Sequence, residues 1–264
     1  MTTWTASRIR AAKGRHKLVC LTAYDYSTAR LVDEAGVQLI LVGDSLAMTM
    51  LGYATTLPVT VAEMLQHTAA VVRGVTNALV VADMPFMSYQ VSAAQALENA
   101  GRFVKEAGAG AVKIEGGAIR APTVRALVDN GIPVLGHIGL TPQSIREMGG
   151  YKVQGKKPEQ ARRLLRDAGE LERAGAFALV LECLPAVLGR EITESVGVPT
   201  IGIGAGPRCD GQILVTHDLL GLYADLAPKF AKKYADLGAA MKRAFEAYRR
   251  EVESGAFPGP EHCY

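Results

Sequence analysis

Short apolar runs alternate with longer amphipathic stretches along most of this chain. The clearest run, Leu39–Val42, is followed by Gly43 and then by Asp44. A run this short and this apolar predicts a strand buried on both faces, as in a parallel sheet. The aspartate beyond it lies where open α/β sheets and β/α barrels place their chemistry.

The same alternation predicts eight strands separated by helices. The predicted strands cover 17–22, 39–42, 78–83, 111–115, 133–137, 177–182, 199–204 and, more weakly, 211–216. The predicted helices cover 27–35, 61–73, 92–107, 123–129, 158–174, 185–197 and 230–252. Strands that alternate with helices indicate an α/β protein with a parallel sheet. Eight such units in 264 residues favour one (β/α)8 TIM barrel over 1–264, with a short N-terminal segment and a long C-terminal helix.

Composition narrows the class of protein further. Hydrophobic residues make up 49% of the chain and charged residues 21%, which suits a globular core. The formal net charge of +3 and the absence of a basic block do not favour a nucleic-acid partner. No apolar run approaches the ~18 residues of a membrane span, and the first residues lack a signal-peptide core. We therefore expect a cytoplasmic protein without a membrane partner.

Five polar residues stand at the ends of predicted strands: Asp44, Asp83, Glu115, His137 and Glu182. In a barrel these ends share one face. Taken singly, each has an ordinary explanation as a helix cap, a salt-bridged rim residue or a hydrogen-bonded core histidine. Taken together, the carboxylates would resist shared ionisation unless a cation lies between them. Carboxylate oxygens favour Mg²⁺, whereas zinc prefers histidine and cysteine.

Lys113 lies two residues before Glu115, so both side chains point to the same side of their strand. A buried lysine is costly unless it is paired. It can pair with a neighbouring carboxylate, hold the carboxylate of a substrate, or do both. The long connections 46–58 and 138–157 follow strands on the same face and are candidate lids. The glycines of 202–206 have GxGxG spacing, which argues against a dinucleotide site and for close approach of a ligand or a neighbouring backbone.

With these motifs, the chain resembles the ketopantoate hydroxymethyltransferase family, also called 3-methyl-2-oxobutanoate hydroxymethyltransferases. The segments that carry the resemblance are 22–25 (TAYD), 41–45 (LVGDS), 56–60 (TLPVT), 82–86 (ADMPF), 112–117 (VKIEGG), 136–144 (GHIGLTPQS), 149–155 (GGYKVQG), 181–183, 201–206, 210–214 and 253–255. The match runs from about residue 17 to residue 264.

The resemblance implies a barrel of the phosphoenolpyruvate/pyruvate type and a reaction in pantothenate and coenzyme A biosynthesis. A hydroxymethyl group would pass from the co-substrate 5,10-methylenetetrahydrofolate to 3-methyl-2-oxobutanoate, giving 2-dehydropantoate through a metal-stabilised enolate. The resemblance also implies one Mg²⁺ ion per subunit and assembly into a homodecamer.

The resemblance also assigns roles to individual residues. Metal binding falls to Asp44, Asp83 and Glu115, with Glu115 acting through water. Substrate binding falls to Asp44, Asp83, Lys113 and Ser45. The proton acceptor is Glu182.

Two other functions stay open at this point. A metal-dependent lyase or mutase of the phosphoenolpyruvate/pyruvate type would use a similar barrel and a similar enolate. A non-catalytic ligand-binding barrel would keep the fold without the chemistry. The matched loops, and the absence of a lyase-type motif with a nucleophilic cysteine, speak against the lyase. The intact carboxylates, Lys113 and Glu182 speak against a barrel that has lost its chemistry.

Overall fold

The alternating pattern folds into a closed barrel of parallel strands in the computed structural model, which describes residues 3–224 and 228–264. Each strand pairs with the next along the chain, and the last pairs with the first. The strands are β1 Leu18–Thr22, β2 Leu39–Val42, β3 Leu79–Asp83, β4 Ala111–Glu115, β5 Val134–Gly139, β6 Ala178–Glu182, β7 Thr200–Ile203 and β8 Gly211–Leu214. The predicted fold class is confirmed.

The helices of the described residues follow the strands, as expected for β/α units. They are α1 Ala6–Ala11, α2 Tyr26–Glu34, α3 Leu46–Thr49, α4 Val61–Gly74, α5 Ala93–Lys105, α6 Ala121–Asp129, α7 Ile145–Met148, α8 Pro158–Ala174, α9 Ala186–Ser195, α10 Thr216–Leu220 and α11 Leu237–Ser254. Short 3₁₀ helices cover Ala118–Arg120, Pro142–Ser144 and Pro260–His262. Across the described ranges, none of these helices is both long enough and apolar enough to cross a membrane.

Burial explains why most strands could be read from the sequence. Every residue of β2, β3 and β4 is buried, so their sequences are continuous apolar runs up to the polar residues that serve the site. In β8 the second residue, Gln212, is exposed, and its neighbour in β1, Val19, is exposed as well. The mixed exposure of β8 accounts for its weaker signal, and the strand ends at Leu214, two residues before the predicted end.

Side-chain caps fix the beginnings of the helices. Thr60 accepts a hydrogen bond from the backbone N–H of Glu63 (3.2 Å), and the Glu63 carboxylate accepts one from the backbone N–H of Thr60 (2.7 Å). This reciprocal pair is the predicted capping box of α4. Ser92 likewise accepts a hydrogen bond from the N–H of Gln95 at the start of α5. These caps fix where the chain leaves the barrel face and turns into a helix.

The chain divides into two compact units, Met1–Val215 and Thr216–Tyr264. The first holds the barrel, and the second holds α10 and α11. The long last helix was predicted from residue 230, but it begins at Leu237. The reason is that the backbone N–H of Tyr234 bonds to the carbonyl of Leu219, so this part of the chain does not form helical hydrogen bonds. The single domain over 1–264 stays a prediction.

Candidate active site

The register of the barrel sets the polar strand ends side by side. Asp83 in β3 is the direct partner of Lys113 in β4, and Glu115 in β4 is the partner of His137 in β5. Parallel strands end at one face of a barrel, so these side chains converge there. Asp83 and Glu115 thus each face a basic residue on the next strand.

Lys113 pairs with Asp83 inside the barrel. Its Nζ donates to both carboxylate oxygens of Asp83, at 2.7 and 2.6 Å, and both side chains are buried. Lys113 also lies 3.5 Å from Glu115 Oε1. The carboxylate pairing expected of a buried lysine is therefore present, and Nζ stands between two of the acidic side chains.

The carboxylates of Asp44, Asp83 and Glu115 form a group of the kind that holds a metal ion. All three are buried, and each offers an oxygen within 4.8 Å of the others. Three carboxylates and the Lys113 ammonium sum to a formal charge of −2 (three negative charges and one positive). A divalent cation would balance this charge, and oxygen ligands are those that Mg²⁺ prefers.

Protonation equilibria reflect the crowding of these acids. Burial raises the pKa of Asp44 well above its usual range, and the neighbouring carboxylates of Asp83 and Glu115 raise it further. Burial also raises the pKa of Asp83, although Lys113 opposes the shift. For Glu115, burial is outweighed by Lys113, His137 and the N–H of Gln143, so its pKa is lowered. Asp44 is therefore the acid whose ionised form a nearby cation would stabilise most.

One carboxylate oxygen in this group is buried without a hydrogen bond in the described part of the chain. Glu115 Oε1 is buried and has no hydrogen-bond partner among residues 3–224 and 228–264. Lys113 and His137 approach it only as ion-pair neighbours, at 3.5 and 3.3 Å. A buried oxygen left in this way suits a metal ion or a metal-bound water, so the residues present fit the cation that the sequence implied.

His137 connects this cluster to Glu182. Its Nδ1 lies 3.3 Å from Glu115 Oε1, and its Nε2 lies 3.2 Å from Glu182 Oε2. Burial and the charge of Lys113 lower the pKa of His137, but its contacts with the two glutamates outweigh them and raise it to about 9. The His137 ring thus lies between the carboxylates of Glu115 and Glu182, and the Glu182 side chain is 14% exposed.

Ser45 lies beside the acids, at the start of the short helix α3. Its Oγ forms a hydrogen bond with the buried Tyr24 hydroxyl at 2.8 Å. The backbone carbonyl of Tyr24 in turn accepts a hydrogen bond from His67 Nδ1 at 2.7 Å, because a carbonyl oxygen can only accept. Ser45 therefore lies next to Asp44 with its hydroxyl held by Tyr24, and its role in binding substrate stays a prediction.

Two residues that the sequence did not single out also contact the acids. The Gln143 side-chain amide donates to Asp44 Oδ2 at 3.1 Å, and its backbone N–H donates to Glu115 Oε2 at 3.0 Å. The Tyr89 hydroxyl donates to Gln143 Oε1 at 2.7 Å. Neither residue is charged or ends a strand, so strand-end reasoning could not find them. Their polar side chains lie in connections after β3 and β5, which is the one sequence signal available.

The two long connections are ordered around short helices, α3 and α7. The second is tied to the end of β6, because the backbone N–H of Gln154 donates to the carbonyl of Cys183 at 2.8 Å. Cys183 itself follows Glu182 with φ of 50°, an uncommon backbone conformation for a residue other than glycine. The end of β6 is thus held by both its neighbouring strand and this connection, whereas lid motion of the connections stays a prediction.

A cavity of about 390 Å³ adjoins the acidic cluster. It lies among the connections after β3, β4 and β5 and the first half of α8, and Glu115, Gln143, Arg120 and Arg163 are among its lining residues. A space of this size can take a small ligand. Of the strand-end acids, Glu115 lines this volume even though its side chain is buried.

Gly139 allows β5 and β6 to approach each other at the site. Its φ is +101°, and a Cβ added there would lie 2.2 Å from the carbonyl oxygen of Glu182. We expect Gly139→Ala to destabilise the protein by more than the left-handed backbone cost of about 1–2 kcal/mol, because the strand end that carries Glu182 must also move. Urea unfolding measures this loss.

Gly131→Ala is the matched control for that prediction. Gly131 also has a positive φ, +82°, but a Cβ there meets nothing within 4 Å. Gly131→Ala should lose only the backbone cost of about 1–2 kcal/mol in unfolding free energy. Equal losses in the two variants would contradict the collision at Glu182.

The glycines of 202–206 serve packing, as their spacing indicated. A Cβ at Gly206, whose φ is +87°, would come within 2.9 Å of the Ala186 Cα at the start of α9. A Cβ at Gly202 would lie 3.0 Å from Cys209 Sγ. The close approach of a neighbouring backbone predicted for this segment is confirmed.

Comparison with known proteins identifies relatives over nearly the whole chain. A family model described as ketopantoate hydroxymethyltransferase matches residues 3–260. A 3-methyl-2-oxobutanoate hydroxymethyltransferase of Clostridium novyi (strain NT) is 59% identical over 255 residues, covering 97% of this chain and 93% of the relative. One of Heliobacterium modesticaldum is 60% identical over 248 residues, covering 94% and 90%.

Solved structures with the same fold are more distant in sequence. Phosphonopyruvate hydrolase in complex with oxalate and Mg²⁺ superimposes with a TM-score of 0.64 at 14% identity, covering 99% of this chain and 93% of that one. A 2,3-dimethylmalate lyase of the PEP mutase/isocitrate lyase superfamily gives 0.62 at 18% identity, covering 100% and 93%. At such identities the likeness concerns the fold alone, which is the predicted type of barrel.

Proposed function

Since this chain belongs to the ketopantoate hydroxymethyltransferase family, we propose that its strand-end cluster is the active site for hydroxymethyl transfer to 3-methyl-2-oxobutanoate. The one-carbon unit comes from 5,10-methylenetetrahydrofolate, and water supplies the hydroxyl oxygen. The products are 2-dehydropantoate and tetrahydrofolate, in the pathway to pantothenate. The observation that carries the assignment of the site is the convergence of three buried carboxylates, one lysine and Glu182 on one face.

Asp44, Asp83 and Glu115 are the residues that would hold Mg²⁺, one ion per subunit. Their grouped oxygens, the net charge of −2 and the buried Glu115 Oε1 support this assignment. When bound, the ion supplies Lewis-acid stabilisation of negative charge on the oxo acid. Asp83 is held in place by Lys113, so its oxygens are positioned before any ion binds.

The oxo acid carries its own carboxylate, for which Lys113 and Ser45 are the proposed partners. Lys113 Nζ is a buried ammonium, and its charge stays in place because its pKa is raised: burial opposes the charge, but Asp83 and Glu115 outweigh burial. Ser45 Oγ can donate to a carboxylate while it accepts from Tyr24. Charge-assisted hydrogen bonds of this kind both bind and orient an anion.

Glu182 is the proposed proton acceptor. Its carboxylate takes the proton from C3 of the oxo acid, and the electron pair of that C–H bond becomes available to form the new C–C bond to the one-carbon unit. His137, 3.2 Å from Glu182 Oε2, positions the carboxylate. Because Glu182 and Glu115 contact opposite nitrogens of one imidazole, the base and the acidic cluster are held at a fixed spacing.

The direct test is product formation. The protein is incubated with Mg²⁺, 3-methyl-2-oxobutanoate and 5,10-methylenetetrahydrofolate, and 2-dehydropantoate is measured by mass spectrometry. We expect product with the wild-type protein, none after chelation of the metal, and a level near background with the control Glu182→Gln. Cleavage of 2,3-dimethylmalate-like acids in place of this transfer would favour a lyase and overturn the proposal.

Assembly and location complete the proposal. The family resemblance supports a homodecamer in the cytoplasm. The mass of the protein in solution tests the assembly, and a mass other than that of ten subunits would contradict it.

A further inference from the structure

Gln143 uses every hydrogen-bonding position of its side-chain amide within the buried site. Nε2 donates to Asp44 Oδ2 at 3.1 Å and to the carbonyl oxygen of Met84 at 2.9 Å. Oε1 accepts from the Tyr89 hydroxyl at 2.7 Å and from Gln90 Nε2 at 3.1 Å. The residue is 5% exposed. An amide with two donors and two acceptor positions filled in this way is locked in one orientation.

The orientation of that amide follows from its partners. A backbone carbonyl such as that of Met84 can only accept, so the nitrogen of Gln143 must face it, and the other N–H then points to Asp44. Tyr89 supports the opposite edge. Its hydroxyl oxygen accepts the backbone N–H of Glu115 at 3.0 Å, and its proton can go to Gln143 Oε1 at 2.7 Å or to the Glu115 carbonyl oxygen at 3.3 Å, of which Gln143 Oε1 is the nearer acceptor.

The same residue holds a second acid through its main chain. The backbone N–H of Gln143 donates to Glu115 Oε2 at 3.0 Å. One oxygen of Asp44 and one oxygen of Glu115 are thus bound by Gln143, and the other oxygen of Glu115, Oε1, is the buried atom left without a hydrogen bond. Because Gln143 binds Asp44 Oδ2 and Glu115 Oε2, it fixes the direction in which each carboxylate presents its other oxygen.

We propose that Gln143 is a positioning residue that orients the carboxylates of Asp44 and Glu115 for the metal ion, with Tyr89 fixing its amide. The proposal rests on the metal role given to these acids under the proposed function. Gln143 touches neither substrate nor ion in this role; it acts through the two carboxylates. Without the Gln143 amide, the Asp44 carboxylate has to be ordered by the cation itself, which weakens binding.

The test measures Mg²⁺ binding to the metal-free protein without substrate. Isothermal titration calorimetry compares wild type with Gln143→Met, which keeps side-chain length and the backbone N–H to Glu115 but removes both amide donors. We expect the Kd for Mg²⁺ to rise about 10–100-fold, the usual effect of removing a partner of a metal ligand. Tyr89→Phe should raise the Kd in the same direction by a smaller factor, and it serves as the test if Gln143→Met does not fold.

Gln90→Met is the matched control. It removes an amide that contacts Gln143 Oε1 but leaves the bonds from Gln143 to Asp44 and Glu115 in place. Its Kd should stay within about threefold of wild type, well below the effect of losing a partner of a metal ligand. Unchanged Mg²⁺ affinity in both Gln143→Met and Tyr89→Phe would overturn the proposal.

A kinetic measurement separates positioning from a general packing role. In Gln143→Met, the Mg²⁺ concentration that gives half-maximal product formation should rise by the same factor as the Kd, and most of the maximal rate should return at saturating Mg²⁺. Loss of a residue with only a packing role would lower the rate at every Mg²⁺ concentration, including saturation, and would leave the Kd for Mg²⁺ unchanged. If wild type makes no 2-dehydropantoate but the Kd still shifts, the proposed function fails while the positioning role stands.

Discussion

Glu182→Gln lowers kcat by about 10²–10⁴-fold, the contribution usual for a positioned general base. Glutamine has the shape of glutamate and can still contact His137, so the variant should fold and bind Mg²⁺ as wild type does. It cannot take up the C3 proton, because a neutral amide is too weak a base. The KM for the oxo acid should change little, since the acid is held by other residues.

Exchange of the C3 hydrogen tests the base apart from the folate chemistry. The oxo acid is incubated in D2O with Mg²⁺ and enzyme, without folate, and loss of the C3–H signal is followed by NMR. Wild type should exchange this hydrogen, and Glu182→Gln should not. Exchange at the wild-type rate in Glu182→Gln would show that another group takes the proton.

Lys113→Met has the second large effect, a loss of stability whose size depends on the metal. In the metal-free protein it removes the ammonium that both oxygens of Asp83 contact. Breaking a buried pair in this way costs about 3–5 kcal/mol of unfolding free energy. The formal charge of the cluster changes from −2 to −3, so Mg²⁺ should restore more stability to this variant than to wild type. The KM for the oxo acid should rise, because its carboxylate loses Lys113.

Urea unfolding with EDTA and with saturating Mg²⁺ measures these differences. Lys13→Met is the control, because Lys13 pairs with Asp210 at 2.8 Å through a partly buried contact away from the acidic cluster. It should lose stability to the same extent with and without Mg²⁺. If Lys113→Met also showed a loss independent of Mg²⁺, the charge argument for the cluster would be wrong.

Most strands were predictable because they are buried on both sides, as in β2, β3 and β4. The run of β2 was found residue for residue, since its ends coincide with a change from apolar to polar sequence. The short helices α1, α3, α7 and α10 were missed. Helices of four to six residues span too few turns to show a periodic pattern. The start of α11 was missed because a backbone contact of Tyr234 overrides the apolar spacing.

The charged members of the candidate site were predictable for a different reason. A barrel brings strand ends together whatever the loops do, so Asp83, Lys113 and Glu115 could be placed at one face from sequence position alone. The hydrogen bonds of Gln143 and the bridging position of His137 were not predictable. They depend on how a connection folds back over the strands and on rotamers, which no periodic pattern records.

The pairing of residues on neighbouring strands means that this set of charges could be moved to another barrel. Asp83 faces Lys113, Glu115 faces His137, and Gly139 faces Glu182 across successive strand pairs. The spacing of these side chains is therefore a property of backbone registration, independent of the loops beyond it. A protein engineer who copies these four adjacent strand ends into another eight-stranded barrel of the same shear would carry over the order of charges, while the connections could be redesigned for a different acceptor.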